Sequence, residues 1–571
     1  MLNPRPAQTD RGGAVLSAIS VIALSSIMVP VLLLSVLFLL HVSLTPIAML
    51  AGLALGLVSP VFLLGRSREV LIAYGIVVLA VVIAFTVQGR SWDNSHDSLV
   101  YHEPAAVAIA QGMNPVYDAT GNLWVDHYPK AAWIFSAGVY RLSHNIELSK
   151  MLTVLAALAC FGVAALFFRA LPRIPRWLAY LAAGLVTLSP IVLVQFDTHY
   201  VDGLFANMGM LLVLLAVAHR AWGGLRGSAS LIDGTIAVLA AVMLANLKFT
   251  GLVFVVALLG MHLIATYVNA PRRVWRRGAS VLVACVALGI LVVGFDPYVT
   301  NTVADGNPFY PVFGADLTIV EDAPDKGQRP PAYRTVPAPL AFVMSLADTT
   351  RAGSQDEMPS RYRPKLPVVL SRQEVAAMTF PDARTAGFGP LFFLALLLAA
   401  VTLVIGALRR DKTDAEDALL HAMLWYGLAL LVVLTLCMGE AWWARLAPVF
   451  YLSAPYAAVV TLARGNRGSG PAIAAYAVLC VLVANSLVVF AAQAFDYRNR
   501  QSVRAEAIAA LTTARRVDVR FADSWAEKQQ SGSILLRMRS LGIDATLVPY
   551  EASDTQGWTE LSAVLGEVRA K

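Results

Sequence analysis

Long apolar segments constrain the fold of this chain more than any other feature. Runs of 18 or more residues with few charges recur along it, and each can cross about 30 Å of hydrocarbon as a helix. Charged residues make up 14% of the chain, against about 25% in soluble proteins. We predict an all-α polytopic membrane protein with large outward loops and about 13 transmembrane helices, at residues 14–40, 46–64, 70–88, 151–169, 176–194, 204–222, 231–247, 250–267, 277–295, 388–408, 418–437, 445–463 and 470–494.

Short basic loops predict which ends of these segments share a face of the membrane. With the N-terminus in the cytoplasm, every strongly basic short loop falls inside, as the positive-inside rule expects, provided that Ser230–Tyr267 crosses twice. The formal charge of +7 therefore reflects orientation and not nucleic-acid binding. We predict a multi-pass protein of the bacterial cytoplasmic (inner) membrane with its functional face and C-terminus in the periplasm or exterior. The inside loops are Gly65–Arg68, Arg169–Arg176, His219–Arg226, Pro271–Arg277, Arg409–Lys412 and Arg464–Arg467.

The loops on the opposite face divide the chain. Residues 1–495 form the predicted transmembrane domain, within which 91–150 is a catalytic outer loop with two interfacial helices, Glu103–Gln111 and Ala131–Leu142, and 296–385 is a long outer loop. Residues 496–571 form a small periplasmic α/β domain, with a helix at Ser524–Leu541 and a strand at Ala545–Val548. The apolar run Ala14–Leu40 is too long for the core of a cleavable signal peptide.

One polar stretch, Ser91–Pro104 (SWDNSHDSLVYHEP), follows the third apolar segment abruptly. In a helix Asp97 and Tyr101 would share a face. A partly desolvated carboxylate has a raised pKa and can serve as a general base. We predict that Asp97, Tyr101 and His102 are catalytic, with His102 orienting its neighbours. The alternative for Asp97 is a carboxylate that caps a surface helix.

Other polar residues at outer segment ends are candidates for substrate binding. Lys248 and Arg445 are cations of the kind that hold a phosphate, although a solvated lysine and a snorkelling arginine are the alternatives. Four histidines with nearby acids, His96, His102, His127 and His199, leave a divalent cation open, but no close ligand pair is present. The four cysteines lie in apolar runs without metal-pair spacing. We therefore predict neither a metal nor another cofactor. The remaining substrate-binding candidates are Asp126, His127, Lys130, Asp197, His199, Asp202 and Glu440.

Several of these segments resemble the GT-C superfamily of polyprenyl-phosphate-sugar-dependent glycosyltransferases, in particular its protein mannosyltransferase and aminoarabinose-transferase-like branch. The resemblance implies a GT-C-like membrane fold with Asp97 as catalytic base, Lys248 and Arg445 around the donor phosphate, and an outer cavity for the acceptor. It is carried by Asp97 with Tyr101 and by Gly112–Tyr117, Asp126–Leu142, Leu247–Gly251, Gly306–Pro311 and Ala444–Pro448.

We predict a glycosyltransferase that moves a sugar from a polyprenyl-phosphate donor to a glycan, lipid or protein acceptor on the outer face, among membrane lipids and without nucleic acid. A transporter or flippase of lipid-linked sugar would need charges within the spans, which are nearly absent. A non-catalytic scaffold would leave the acids and histidines on one face unexplained. An O-antigen ligase or polymerase remains an alternative because the long outer loop carries Arg329, Arg334, Arg351, Arg361 and Arg363.

Overall fold

The computed structural model is mostly helical, with two small sheets. It describes all residues except 1–9, 227–229, 268–271, 313–328, 354–357, 409–414, 466–468, 512–515, 522–531, 540, 552–555, 557, 563–565 and 571. The start of the predicted helix at Ser524–Leu541 and part of the predicted outer loop 296–385 lie outside the described residues.

The helices that surround the first outer loop come from the N-terminal part of the chain. They are α1 (Arg11–Leu39), α2 (Pro46–Leu64), α3 (Arg68–Gln88), α4 (Glu103–Ala110), α5 (Leu123–His127), α6 (Ala131–Ser143), α7 (Met151–Ala170), α8 (Arg176–Thr187), α9 (Pro190–Gln195) and α10 (Asp202–Trp222). A π-helical turn at Ser98–His102 precedes α4, and a 3₁₀ turn at Ile146–Lys150 precedes α7.

The rest of the membrane portion continues with α11 (Leu231–Ala245), α12 (Phe249–Tyr267), α13 (Arg272–Leu288), α14 (Thr300–Asp305), α15 (Ala338–Leu346), α16 (Arg372–Ala377), α17 (Phe392–Leu408), α18 (Ala415–Leu436), α19 (Ser453–Arg464) and α20 (Gly470–Leu511). The first sheet pairs β1 (Arg351–Ala352) with β2 (Ala383–Thr385) in antiparallel fashion. The second contains β3 (Arg516–Arg520), β4 (Asp544–Leu547), β5 (Thr559–Ser562) and β6 (Gly566–Ala570).

By helix length and hydropathy the chain is a multi-pass membrane protein. Seven helices among the described residues are long and apolar enough to span, or eight if a pair bent by 90° near Gly294 counts as one span. Each of the 13 predicted segments contains helix, but several are short or broken. Residues 176–194, for example, divide into α8 and α9 before Pro190, because a proline disfavours helical geometry at the residue before it. The count of 13 stays a prediction.

Helix α1 separates two chemically different ends of the molecule. At its start, Asp10 accepts hydrogen bonds from Arg169 and Arg176, in one of the predicted inside loops. At its end, the carbonyl groups of Phe38 and Leu39 accept hydrogen bonds from loop residues Asn114 and Tyr117. A helix of 29 residues is about 43 Å long, so the basic loop and the polar loop lie about one membrane thickness apart.

The region Ser230–Tyr267 forms two helices, as predicted, and not one long one. α11 ends at Ala245, α12 begins at Phe249, and the two pack against each other. A Cβ at Gly251 would overlap the carbonyl oxygen of Leu244, so glycine permits the close approach of the two helices. Lys248 lies in the break between the two helices.

Helix α4 begins with Pro104 in its first turn and ends before Gly112, which has φ +114°. These bounds are close to the predicted ones.

Helix α6 also forms as predicted, but its predicted place at the lipid interface is wrong. Trp133 is 2% exposed and Phe135 is fully buried, because α6 packs against α1, α2 and α4. Its aromatic residues therefore belong to the protein core.

The C-terminal segment is joined to the membrane portion by a continuous helix. α20 runs for 42 residues to Leu511, so the predicted boundary at residue 495 falls inside it. The strand order of the sheet is β4-β3-β6-β5, with β3 parallel to β4 and antiparallel to β6. The predicted strand at Ala545–Val548 corresponds to β4. The sheet packs with a helix at 532–539 in a core that includes Trp92 and Leu99 from the first outer loop.

Candidate functional site

The carboxylate of Asp97 meets the guanidinium group of Arg445. Asp97 lies just before the π-helical turn, and Arg445 lies in a 3₁₀ turn at Ala444–Leu446. Arg445 Nη1 donates to Asp97 Oδ2 at 2.8 Å, and the side chains are 14% and 17% exposed. Two residues separated by 348 positions thus form an ion pair that solvent can reach.

Lys248 joins the same centre through Asp202. The ammonium group of Lys248 contacts Asp202 Oδ1, while Asp202 Oδ2 accepts a hydrogen bond from Gln195 at 2.8 Å and lies 4.0 Å from Arg445 Nη1. Asp202 is at the first turn of α10, and Lys248 is at the break between α11 and α12. The structure therefore brings together the predicted residues Asp97, Asp202, Lys248 and Arg445.

Asp382 completes this arrangement, which we call the Asp97 centre (Asp97, Asp202, Lys248, Asp382 and Arg445). Its Oδ1 lies 3.5 Å from Arg445 Nε and accepts a hydrogen bond from Trp443 Nε1 at 2.7 Å. The guanidinium carbon of Arg445 lies 4.0 Å from the centre of the Trp443 ring, at cation–π distance. Sequence reasoning missed Asp382, because no local pattern distinguishes it within the polar outer loop.

Aromatic side chains form one wall of the centre. His102 Nδ1 accepts a hydrogen bond from Trp133 Nε1 at 2.7 Å, so in the neutral ring the proton is on Nε2. Burial lowers the pKa of His102 to about 3, and it raises the pKa of Tyr101 well above its usual value. Both groups are uncharged at neutral pH. Tyr101 also lies against His102, Tyr128 and Trp133.

The raised pKa expected for Asp97 is wrong. Burial alone would raise it, but the charge of Arg445 and the hydrogen bonds from Arg445 and His96 outweigh burial and hold the pKa of Asp97 well below its usual range. The backbone N–H of Asp97 donates to the hydroxyl group of Tyr200 at 3.3 Å. Asp97 is therefore an ionised carboxylate in this state.

A second, more deeply buried set of charged residues joins three acids of residues 91–150 to His199 and Arg537. We call it the Arg537 cluster (Asp93, Glu103, Glu147, His199 and Arg537). Arg537 donates to Glu103 Oε1 and Oε2 at 2.5 and 3.0 Å and to Glu147 Oε1 at 2.7 Å. His199 Nδ1 lies 3.0 Å from Asp93 Oδ2 and 3.4 Å from Glu103 Oε1. The predicted residue His199 thus belongs to this cluster.

Lys150 extends the Arg537 cluster towards α20. Its ammonium group lies 3.0 Å from Glu147 Oε2 and 2.7 Å from Asp197 Oδ1, and Arg500 of α20 donates to Asp197 Oδ2 at 3.1 Å. The predicted substrate-binding residue Asp197 is therefore held between two cations. The carboxylates of Glu147 and Asp197 are therefore paired with cations of the same protein.

The remaining predicted residues have local partners. Asp126 accepts hydrogen bonds from Thr120 N and Gly121 N, so it stabilises a turn. Other contacts join His127 to Asn301 at 2.9 Å, Lys130 to Asp296, and Glu440 to Arg329 at 2.6 Å.

The four histidines considered as metal ligands have different partners. His96 lies against Asp97, His102 against Trp133, His127 against Asn301, and His199 against Asp93. Only His199 belongs, among the described residues, to a group close enough to hold an ion, since ligand atoms of Asp93, Glu103 and His199 lie within 4.8 Å of one another. The guanidinium group of Arg537 already supplies positive charge at this place.

Sequence reasoning missed Asp93, Glu103, Glu147, Lys150 and Arg537. Asp93 and Glu103 lie in the stretch Ser91–Pro104 that was selected for its chemistry, so their types were visible although their pairing was not. Arg537 carries no local signal, because its partners are about 400 positions away.

The chain was compared with protein families, curated proteins and solved structures. No family model, no curated protein and no solved structure matches it.

Proposed function

We propose that the chain is a GT-C-like glycosyltransferase that uses a polyprenyl-phosphate sugar as donor and a glycan, lipid or protein hydroxyl group as acceptor. In one displacement, the bond between the anomeric carbon and the phosphate oxygen breaks and a bond from the acceptor oxygen to that carbon forms. The acceptor proton passes to Asp97, and the bonding electrons leave with polyprenyl phosphate. Attack opposite the phosphate inverts the anomeric configuration.

One observation carries this proposal: three carboxylates and two basic side chains from distant parts of the chain converge in the Asp97 centre, where Asp97 and Arg445 are partly exposed. A base that activates the acceptor contributes about 10²–10⁴-fold in rate. Arg445 and Lys248 supply charge-assisted donors for the leaving phosphate. The aromatic residues Tyr101 and Tyr128 offer a surface of the kind on which sugar rings and apolar chains pack.

The ion pair between Asp97 and Arg445 fits a reaction in which donor binds first. A phosphate and Asp97 compete for the same guanidinium group, so a bound donor draws Arg445 away from the carboxylate. Loss of that cation raises the pKa of Asp97 from the low value that Arg445 and His96 impose, which strengthens it as a base. The base then becomes effective only when a sugar is present to be transferred.

The membrane setting agrees with such a donor. The Asp97 centre belongs to the polar end of α1, about one membrane thickness from the basic loop around Arg169. We place the polar end on the outer side of a bacterial cytoplasmic membrane, by the positive-inside rule, with about 13 spans. A polyprenyl chain would then lie among membrane lipids with its phosphate at the interface.

A transfer assay in membranes tests the proposal. Membranes with wild type, Asp97→Asn or Asp118→Asn receive a labelled polyprenyl-phosphate sugar, and the label in glycan, lipid and protein fractions is measured. Asp118 is an exposed acid of the same loop, so it is the matched control. We expect Asp97→Asn to lower transfer by about 1,000-fold and Asp118→Asn to leave it unchanged.

Three outcomes oppose the proposal. If wild type transfers none of a panel of polyprenyl-monophosphate sugars, the donor class is wrong. Transfer of an oligosaccharide from a lipid diphosphate would instead favour the ligase or polymerase alternative. Full activity of Asp97→Asn would remove Asp97 as the base.

A further inference from the structure

Arg537 of the C-terminal segment is buried inside the first outer loop. It belongs to the helix at 532–539, and its side chain is 2% exposed. Besides its hydrogen bonds to Glu103, it donates to Glu147 Oε1 from Nε at 3.0 Å and from Nη2 at 2.7 Å. Nη2 also donates to the carbonyl oxygen of Asp93 at 3.0 Å. One guanidinium fork thus bridges three points of the loop.

Two of these three points flank the proposed base in sequence. Asp93 precedes Asp97 by four residues and Glu103 follows it by six. Asp93 also fixes the neighbouring segment, because its Oδ2 accepts a hydrogen bond from the backbone N–H of His199 at 2.7 Å. The next residue, Tyr200, accepts the hydrogen bond from the backbone of Asp97.

Apolar contacts support the same attachment. Trp92 and Leu99, which also flank Asp97 in sequence, are buried in the core of the C-terminal sheet with Val519, Ile534 and Met538. Arg500 of α20 donates to the carbonyl oxygen of Trp92 at 3.3 Å. The segment that carries Asp97 is therefore fixed by the C-terminal segment through both its backbone and its side chains.

We infer that Arg537 is a positioning residue for Asp97, so that the C-terminal segment forms part of the catalytic apparatus; this rests on the proposed function. An arginine fork can bridge Glu103, Glu147 and the Asp93 carbonyl at once, which a lysine cannot. Displacement of a catalytic group by about 1 Å can cost about 100-fold in rate. Loss of Arg537 should therefore slow transfer more than it weakens donor binding, since Arg445 and Lys248 are held by other elements.

The test uses full-length protein in which Arg537 is replaced by Gln or by Lys, with Arg539→Gln as control. Arg539 is on the same helix but is exposed. We expect Arg537→Gln to lower kcat by about 100-fold while the donor KM changes by less than about 2-fold. Arg537→Lys should lie between Arg537→Gln and wild type. Arg539→Gln should match wild type.

Hydrogen exchange of residues 91–104 gives a readout that does not depend on activity. Faster exchange there in Arg537→Gln, but not in Arg539→Gln, supports the inference. Unchanged exchange, or an unchanged kcat, overturns it. If wild type transfers no sugar, the proposed function fails, and the exchange pattern alone then decides whether Arg537 fixes the segment.

A double variant covers the case in which Arg537→Gln does not fold. Glu103→Gln with Arg537→Gln removes both charges of the closest pair, which avoids leaving a buried carboxylate unpaired. We expect this protein to fold and to retain a kcat defect of about 10-fold or more. A folded double variant with wild-type kcat would overturn the inference.

Discussion

The Asp97 centre and the Arg537 cluster are built from the same residue types but differ in how their charges are used. In the Asp97 centre, Asp97 and Arg445 are each about one-sixth exposed, and one arginine serves three carboxylates. In the Arg537 cluster, the side chains of Glu103, Glu147 and Arg537 are at most 2% exposed. The pair of Asp97 and Arg445 can exchange a partner for a substrate, whereas the Arg537 cluster cannot do so without leaving a buried charge.

This difference separates a reactive site from its support. Removing one member of a buried, hydrogen-bonded ion pair costs about 3–5 kcal/mol, whereas exposed pairs contribute about 0–1 kcal/mol. Substitutions in the Arg537 cluster should therefore lower stability and act on transfer only through the position of Asp97, whereas substitutions in the Asp97 centre should act mainly on transfer. The predictions below test that division.

Apart from loss of Arg537 itself, the largest stability effect is expected from Lys150→Met. Its removal leaves Asp197 with Arg500 alone and deprives Glu147 of one of its two cations. We expect a loss of about 3–5 kcal/mol in the free energy of unfolding, measured by thermal unfolding in detergent. Arg516→Met is the control, because its ion pair with Asp544 is exposed on both sides. Equal destabilisation by the two variants would contradict the division.

Arg445→Lys should act mainly on donor use. Lysine keeps the charge but loses the planar fork that binds phosphate and carboxylate in parallel. We expect kcat/KM for donor to fall by about 10–100-fold, the equivalent of a charge-assisted hydrogen bond, with little change in melting temperature. The control is Arg334→Lys, at an exposed position of the long outer loop. A larger loss in the control would favour a ligase-type site that uses the loop arginines.

The smallest effect is a pH dependence of stability that arises from His199. Burial lowers its pKa, but the hydrogen bond to Asp93 and the charges of Glu103 and Glu147 outweigh it, so the pKa in the folded protein is raised. The stabilisation is complete below the unfolded value of about 6.5 and is lost as the pH rises through the folded value. We expect the melting temperature to fall towards alkaline pH, and less steeply in His199→Gln. An identical slope in both proteins would contradict this role.

Hydropathy and charge predicted much of the fold from the sequence. The apolar segments are helices, the break before Lys248 is present, and α4 lies near its predicted bounds. The sequence predicted less well which helices are buried within the molecule, because an apolar and aromatic helix such as α6 has the same composition at a lipid interface and in a protein core. The division of residues 176–194 at Pro190 is visible only when the proline is weighed against the hydropathy of the whole segment.

The sequence predicted only part of the candidate site, because it shows which residues lie at segment ends but not which of them pair. The prediction that they share one face of the membrane was enough to group Asp97 with Lys248 and Arg445, since all three lie at segment ends. It was not enough to separate Asp97 from Asp93, two acids four residues apart whose surroundings differ completely. Two arginines from distant parts of the chain make that separation. Arg537 binds the backbone of the buried residue Asp93, and Arg445 binds the partly exposed carboxylate of Asp97.

The most direct test of the Asp97 centre measures donor-phosphate binding and single-turnover transfer in the same purified variant, Asp97→Asn. Without the Asp97 carboxylate, Arg445 loses the closest competitor of a bound phosphate, so we predict that polyprenyl phosphate binds at least as tightly as to wild type while transfer falls by about 1,000-fold. Transfer at the wild-type rate, or loss of phosphate binding together with transfer, would contradict the account.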